Sequence, residues 1–269
     1  CAGYAHFFGI PAGNVTLRSP FLGGGFGSKA IPTGPQVLAI LAARMTGRPV
    51  KLMLTRQQMF GPVGHRGATR QRLRLGTDDA AALSFIDHEG VSETSSFDDF
   101  LEPAANASQG LYAAQALRST HRGVRLDVGT PSPMRAPGEA SGSAALECAM
   151  DEMAEATGLD PLEFRLRNYA ETEPGTGKPY SSKALRECYA EGARRFGWSR
   201  RPLAPRQMQD ADGMLVGWGM GTALFPCPMF AADARATLRA DGTALFETSA
   251  ADMGQGAWTA LAQIAADSL

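Results

Sequence analysis

Gly23-Gly24-Gly25-Phe26-Gly27-Ser28-Lys29 is a glycine run that holds one aromatic side chain and ends in a cation. Glycine admits positive φ and close backbone approach to a ligand, but weakens an ordinary helix or strand by roughly 0.5–1 kcal/mol. The run therefore reads as a shaped loop. Before it, residues 14–19 (NVTLRS) are β-branched and alternating enough to predict a short strand. After it, residues 36–45 (QVLAILAARM) predict a buried helix. A glycine loop between strand and helix can aim backbone N–H groups at an anion. It can equally be a tight surface connection.

Two nucleotide patterns fail on register. The phosphate loop needs Gly-Lys side by side, yet Ser28 separates Gly27 from Lys29; Gly177-Lys178 has Thr172 at the first glycine position and Pro179 after the lysine. The dinucleotide pattern meets Ser28 when started at Gly23 and Thr222 when started at Gly217.

With 269 residues the chain can bury a core, in one domain or two. Its 26 Lys and Arg nearly cancel 27 Asp and Glu and form no basic block, which argues against a nucleic-acid partner. No apolar run approaches the ~20 residues needed to span a bilayer, and no export signal opens the chain; cytoplasm is the default reading, with the periplasm the alternative, since an export signal, if any, would lie on another segment or subunit. Cys1, Cys148, Cys188 and Cys227 show no C-x-x-C, and the four histidines no H-E-x-x-H; reduced, mostly buried thiols are expected and no metal ligands are assigned. The first residue is not Met, and a helical pattern is still running at Leu269, so a piece of a longer polypeptide is expected.

Residues 49–54 predict a second strand, and residues 72–76 and 82–88 a hairpin about the polar turn at Thr77-Asp78-Asp79. Residues 89–109 read as a long excursion, and 123–128 as a further strand. From Glu139 a helix places Leu146, Met150, Met153 and Thr157 on one face and Glu147, Asp151 and Glu155 on another, ended by Gly158. The acidic row reads as a solvated face, because it lacks the His or Cys of a specific metal site. Asp160-Pro161-Leu162-Glu163 is an N-terminal cap signature, and Ser182 is expected to cap a helix closed by Gly197. The polar stretch 200–212 suggests a boundary, giving domains 1–209 and 210–269. Beyond it Asp241-Gly242 marks a two-residue hairpin, and Asp252-Met253-Gly254-Gln255-Gly256-Ala257-Trp258-Thr259 is a second glycine loop ahead of a helix.

Three loops thus stand in order: GGGFGSK, then MRAPGEA around Arg135, then DMGQGAWT. Together with Gly47-Arg48-Pro49-Val50-Lys51, Gly64-His65-Arg66 and Asp160-Pro161-Leu162-Glu163-Phe164-Arg165, this set resembles the molybdenum-cofactor-binding large subunit of the xanthine dehydrogenase and aldehyde oxidase family, in particular bacterial aldehyde oxidoreductases. The resemblance runs over nearly the whole chain. It implies an α+β fold of mixed sheets with packed helices, the molybdopterin-binding domain of that family, here incomplete. It also implies molybdopterin carrying molybdenum, in its simple or cytosine dinucleotide form, an aldehyde or heteroaromatic substrate, and iron–sulfur and FAD subunits or domains as partners.

By the same resemblance Phe26 lies beside the metal's oxo ligand, with Gly24, Gly25 and Gly27 allowing the backbone close. Arg135 stands at the metal and substrate end, where a fixed cation can stabilise oxyanion charge. Gly254, Gln255, Gly256 and Thr259 match the pterin and phosphate cradle. Each residue also has a plainer reading: Phe26 as a core plug, Arg135 in an ordinary turn and Gln255 as a helix cap; Glu139, a candidate base because it follows the Arg135 turn, is read instead as an acid complementing a helix N-terminus. The family's glutamine beside the oxo ligand and its catalytic glutamate have no match here, and Asp252 stands where glutamate is frequent. The residues alone are therefore expected to be inactive, since a general base contributes typically ~10²–10⁴-fold. A cofactor-less scaffold or assembly module that keeps the loops without chemistry is the other reading.

Overall fold

The computed structural model describes residues 1–226 and 229–268; Cys227 and Leu269 fall outside them. In chain order the helices and strands are α1 (Ala2–Phe8), α2 (Gly34–Thr46), β1 (Thr69–Thr77), β2 (Leu83–Ser95), β3 (Ala116–Leu126), α3 (Glu139–Thr157), α4 (Pro161–Arg167), α5 (Leu185–Phe196), β4 (Ala234–Leu238), β5 (Ala244–Thr248) and α6 (Ala257–Asp267). The fold is α+β. Two compact units divide it, one of residues 65–225 and one combining residues 1–64 with the chain from Pro226 onward. No described helix is long and apolar enough to cross a membrane.

In the 65–225 unit, β2 is the central strand, antiparallel to β1 and parallel to β3. The β1–β2 turn is held by Asp78, whose Oδ1 accepts from the N–H groups of Ala80 and Ala82. A parallel neighbour demands a crossover, here residues 96–115 with a short 3-10 turn at Ala104–Gln109. Leu83, Ile86, Leu111, Tyr112, Leu146, Met150 and Phe164 fill the core between sheet, turn and helices. The approach of α3 is close: a Cβ on Gly142 would lie 1.8 Å from the Ala104 carbonyl oxygen. The cap signatures act as expected, with the Asp160 carboxylate accepting from Leu162 N–H at 2.8 Å and Gly158 and Gly197 ending α3 and α5 at φ 69° and 80°. In the other unit β4 and β5 form the expected antiparallel hairpin, with Gly242 at φ 82°.

Several expectations fail for identifiable reasons. Residues 14–19 and 49–54 are not strands: β-propensity gives extended backbone, but a ladder needs a partner strand. Residues 89–95 are not an excursion but the second half of β2. Its buried side carries His88, Gly90, Ser92 and Thr94, so the alternation of burial is intact while the alternation of hydrophobicity is lost. Helix α2 forms, yet Leu38, Leu41 and Met45 are exposed and only Pro35 is buried. Cys1, Cys148 and Cys188 are exposed rather than buried. Ala184, not Ser182, precedes the first turn of α5. Apart from these misses, the polar stretch 200–212 carries hydrogen bonds of its own: Arg201 Nε donates to the Trp218 carbonyl at 3.0 Å and Val216 N–H to the Met208 carbonyl at 3.0 Å. A polar composition signals exposure and does not reveal such backbone pairing.

Candidate functional site

The first glycine loop turns sharply at Phe26, which sits at φ +51°, a left-handed conformation that costs a non-glycine residue about 1–3 kcal/mol. Buried Ser28 donates its hydroxyl to the Gly25 carbonyl at 3.2 Å, and Lys29 donates to Ser28 Oγ at 3.0 Å, so the terminal cation is spent on the loop. The Phe26 ring folds back over Gly24, where a Cβ would meet ring atom Cε2 at 2.5 Å. A side chain at position 24 would have to displace the ring. Phe26 is 59% exposed, so it plugs no core within its unit.

The second glycine loop lies against the first, since a Cβ on Gly25 would be 3.2 Å from Met253 Sδ. Its shape is set by Asp252, whose Oδ1 accepts from Gly254 and Gly256 N–H at 2.8 and 3.3 Å and whose Oδ2 accepts from Trp258 N–H at 3.4 Å. These bonds, that from Gly254 foremost, hold the Asp252 carboxyl below the usual carboxylate range. Gln255 Oε1 accepts from Met253 N–H at 2.7 Å and its Nε2 donates to the Ala251 carbonyl at 3.0 Å. Gly254 and Gly256, at φ 107° and 79°, have open space where a side chain would be, and Gln255 and Thr259 are exposed.

Arg135 belongs to the 65–225 unit and is exposed. The turn after it runs through Ala136 at φ +55° and Gly138 at φ +86° into α3. Beneath it lies the buried carboxylate of Glu102, whose Oε1 accepts from Arg66 Nη1 at 2.8 Å, Gly138 N–H at 2.8 Å and Ser141 Oγ at 3.0 Å. Arg66 Nη2 donates to the Arg135 carbonyl at 2.6 Å. Glu139, the first residue of α3, is half-buried; desolvation, with Glu102 nearby, raises its carboxyl above the ordinary range. Glu102 lies in the stretch read as an excursion, and nothing in the residues around it singles it out.

The acidic row on α3 is likewise not all solvated. Glu147 is buried and accepts from Arg165 Nε at 2.8 Å, Tyr112 hydroxyl at 2.6 Å and Thr222 N–H at 2.9 Å. Thr222 Oγ1 also bonds the hydroxyls of Tyr112 and Tyr189, while Arg165 Nη1 donates to Asp151 at 2.7 Å. Burial, then the Glu147 charge, pushes the Tyr112 phenol far up, so it acts as a donor. Arg165, quoted above within a family-like stretch, was the available signal for this network. No cluster of three or more His, Cys, Asp or Glu side chains suited to a metal ion occurs among the described residues.

The chain thus carries paired glycine loops and a strained aromatic in one unit and a braced arginine turn in the other. It belongs to the molybdopterin cofactor-binding domain family: models of that description match residues 2–169 and 191–269. It is 40% identical over 261 residues to the aldehyde oxidoreductase molybdenum-binding subunit PaoC of Escherichia coli K12, covering 97% of this chain and 35% of that subunit. It is 29% identical over 274 residues to the xanthine dehydrogenase molybdenum-binding subunit of Escherichia coli O157:H7, covering 97% of this chain and 36% of that one. Aldehyde oxidoreductase from Desulfovibrio gigas superposes with a TM-score of 0.70 at 26% identity, over 88% of this chain and 27% of its own. The chain thus spans about a third of the length of the curated relatives it matches.

The residues present fit such a group. Open space over Gly254 and Gly256 and the exposed Phe26 ring leave the paired loops accessible. The Gln255 amide is held only by exposed bonds to its own loop, which a pterin edge can exchange for its own donors and acceptors. Asp252 already takes the Gly254, Gly256 and Trp258 N–H groups at the start of α6, so an anion bound there would have to use other N–H groups.

Proposed function

We propose that this chain is the molybdopterin-binding part of an oxidoreductase that hydroxylates aldehydes or heteroaromatic carbons with water-derived oxygen, passing electrons to iron–sulfur and FAD partners. The observation that carries the reading is Phe26: an exposed aromatic ring held in a left-handed conformation costs stability and returns little packing, and such strain gathers at ligand sites. The 40% identity to a molybdenum-binding subunit of an aldehyde oxidoreductase supports the redox class.

On this reading Phe26 forms one wall at the metal, and Gly24, Gly25 and Gly27 bring the backbone close. Gly254, Gln255, Gly256 and Thr259 hold the pterin, in its simple or cytosine dinucleotide form, and Arg135 presents a cation to the substrate end. When bound, the molybdenum pterin supplies the two-electron redox chemistry. The chain's own residues bind and orient it, and Arg135 stabilises negative charge developing on a carbonyl oxygen. No residue of this sequence takes the part of the family's base, so turnover is expected of the parent protein rather than of residues 1–269 alone. The domain division at 209/210 is part of the same proposal.

Metal analysis and pterin fluorescence of the full-length, natively expressed protein test the reading. Stoichiometric molybdenum is expected; a folded protein wholly without it refutes the assignment. Arg135→Ala in that protein is expected to cut turnover with little change in melting, and unchanged aldehyde oxidation would remove its assigned role. The cofactor-less scaffold draws support from one feature, the use of the Gln255 amide and the Asp252 carboxylate for bonds within their own loop, and it predicts that folded, metal-free protein.

A further inference from the structure

The Arg135 turn is not self-supporting. Ala136 at φ +55° and Gly138 at φ +86° are both left-handed, so the turn needs outside bonds to be over-determined. Those bonds come from one buried carboxylate and one cation remote in sequence. Glu102, 2% exposed, gathers Arg66, the Gly138 N–H and Ser141 on a single oxygen. Its other oxygen, Oε2, is buried without a partner among the described residues. Arg66 then carries the grip outward to the Arg135 carbonyl at 2.6 Å and the Ala136 carbonyl at 3.5 Å. The space behind the turn is closed as well, since a Cβ on Gly138 would lie 2.5 Å from the Pro103 carbonyl oxygen, next in sequence to Glu102.

Because a peptide unit is planar and trans, holding the Arg135 carbonyl toward Arg66 makes the Ala136 N–H point the opposite way. Arg66 and Glu102 therefore set two directions at once, that of this N–H donor and that of the Arg135 Cα–Cβ bond. We infer that Arg66 and Glu102 are positioning residues that fix the direction of the Ala136 N–H and of the Arg135 side chain. This deepens the function proposed above and rests on it. Neither residue touches the reacting atoms; a charged bidentate donor anchored on a buried carboxylate is what keeps a strained turn in one orientation. Lysine, a point charge without the guanidinium fork, meets the carboxylate and the carbonyl from a single nitrogen and so does not fix their mutual geometry.

The test uses the full-length, natively expressed protein and the variants Arg66→Lys and Glu102→Gln. Three readouts are taken: molybdenum content, the Mo(V) electron paramagnetic resonance spectrum, and hydrogen exchange of the peptide spanning residues 135–141. Arg66→Lys is expected to melt within a few degrees of the parent and to keep its molybdenum. It should exchange the Gly138 region at least 10-fold faster, shift the Mo(V) g-values and lose kcat at least 10-fold. Unchanged exchange and an unchanged Mo(V) spectrum in folded Arg66→Lys would overturn the inference, whatever Glu102→Gln does. If Glu102→Gln fails to fold, Arg66→Lys alone decides. If the parent holds no molybdenum the functional reading fails, and the exchange experiment still decides whether the pair holds the turn.

Discussion

Replacing Phe26 by glycine separates a core plug from a residue strained for function. At φ +51° the left-handed backbone costs about 1–3 kcal/mol, all of it relieved by Phe26→Gly. Against this stand the added entropy of an unfolded glycine, about 0.4–1 kcal/mol, and the lost burial of the ring. A fully buried phenylalanine contributes ~1.5–3 kcal/mol; with 59% of Phe26 exposed, the share lost is about 1 kcal/mol. The sum lies within about 1.5 kcal/mol of zero. A core phenylalanine cut to a small residue would instead cost about 3–5 kcal/mol. Calorimetry on the full-length protein reads the difference, at ~2–4 °C per kcal/mol for a domain of 150–250 residues. The transition of the domain holding Phe26 should move by less than about 6 °C, while molybdenum content or turnover falls several-fold. A downward shift beyond about 10 °C, or full retention of both molybdenum and turnover, would refute the reasoning.

Arg165→Met leaves Glu147 buried without its partner and should cost about 3–5 kcal/mol, whereas Arg165→Met with Glu147→Leu should regain at least half of that; denaturant unfolding measures both, and a single-variant loss below 1 kcal/mol would show the pair to be dispensable. His88 is buried and neutral, taking the Ser108 hydroxyl on Nδ1 at 2.7 Å and donating from Nε2 to Gln71 Oε1 at 2.9 Å. Burial, with His121 nearby, lowers its pKa to about 4 from the 6.5 of an unfolded histidine. Its stabilising contribution is therefore complete above pH 6.5 and lost as the pH falls through about 4, a difference of about 3 kcal/mol. An imidazole resonance titrating near 6.5 in the folded protein would contradict this.

What was legible locally came from elements whose signals are short-range. The Asp160-Pro161 cap, the Gly158 and Gly197 stops and the Asp241-Gly242 hairpin depend on the φ and hydrogen-bonding habits of a few adjacent residues, and all appear where expected. The loops around Phe26, Arg135 and Gln255 were legible for a similar reason: glycine spacing limits what the backbone can do. The misses fall where a partner remote in sequence decides. The second half of β2, residues 89–95, reads as a polar excursion because Ser92 and Thr94 are buried against hydrogen-bond partners rather than against apolar side chains. Glu147 reads as solvated because Arg165 and Thr222, 18 and 75 residues away, supply its bonds.

The sequence by itself therefore determined the family, the order of the three loops and the helices that follow the two glycine runs, since those rest on local backbone chemistry. Only the tertiary structure decided that the Phe26 and Gln255 loops lie together, that the Phe26 ring is open, and that Glu102 and Arg66 brace the turn after Arg135. A carboxylate declares its role only when the groups it faces are known, and those groups are brought to it by the packing of the whole unit.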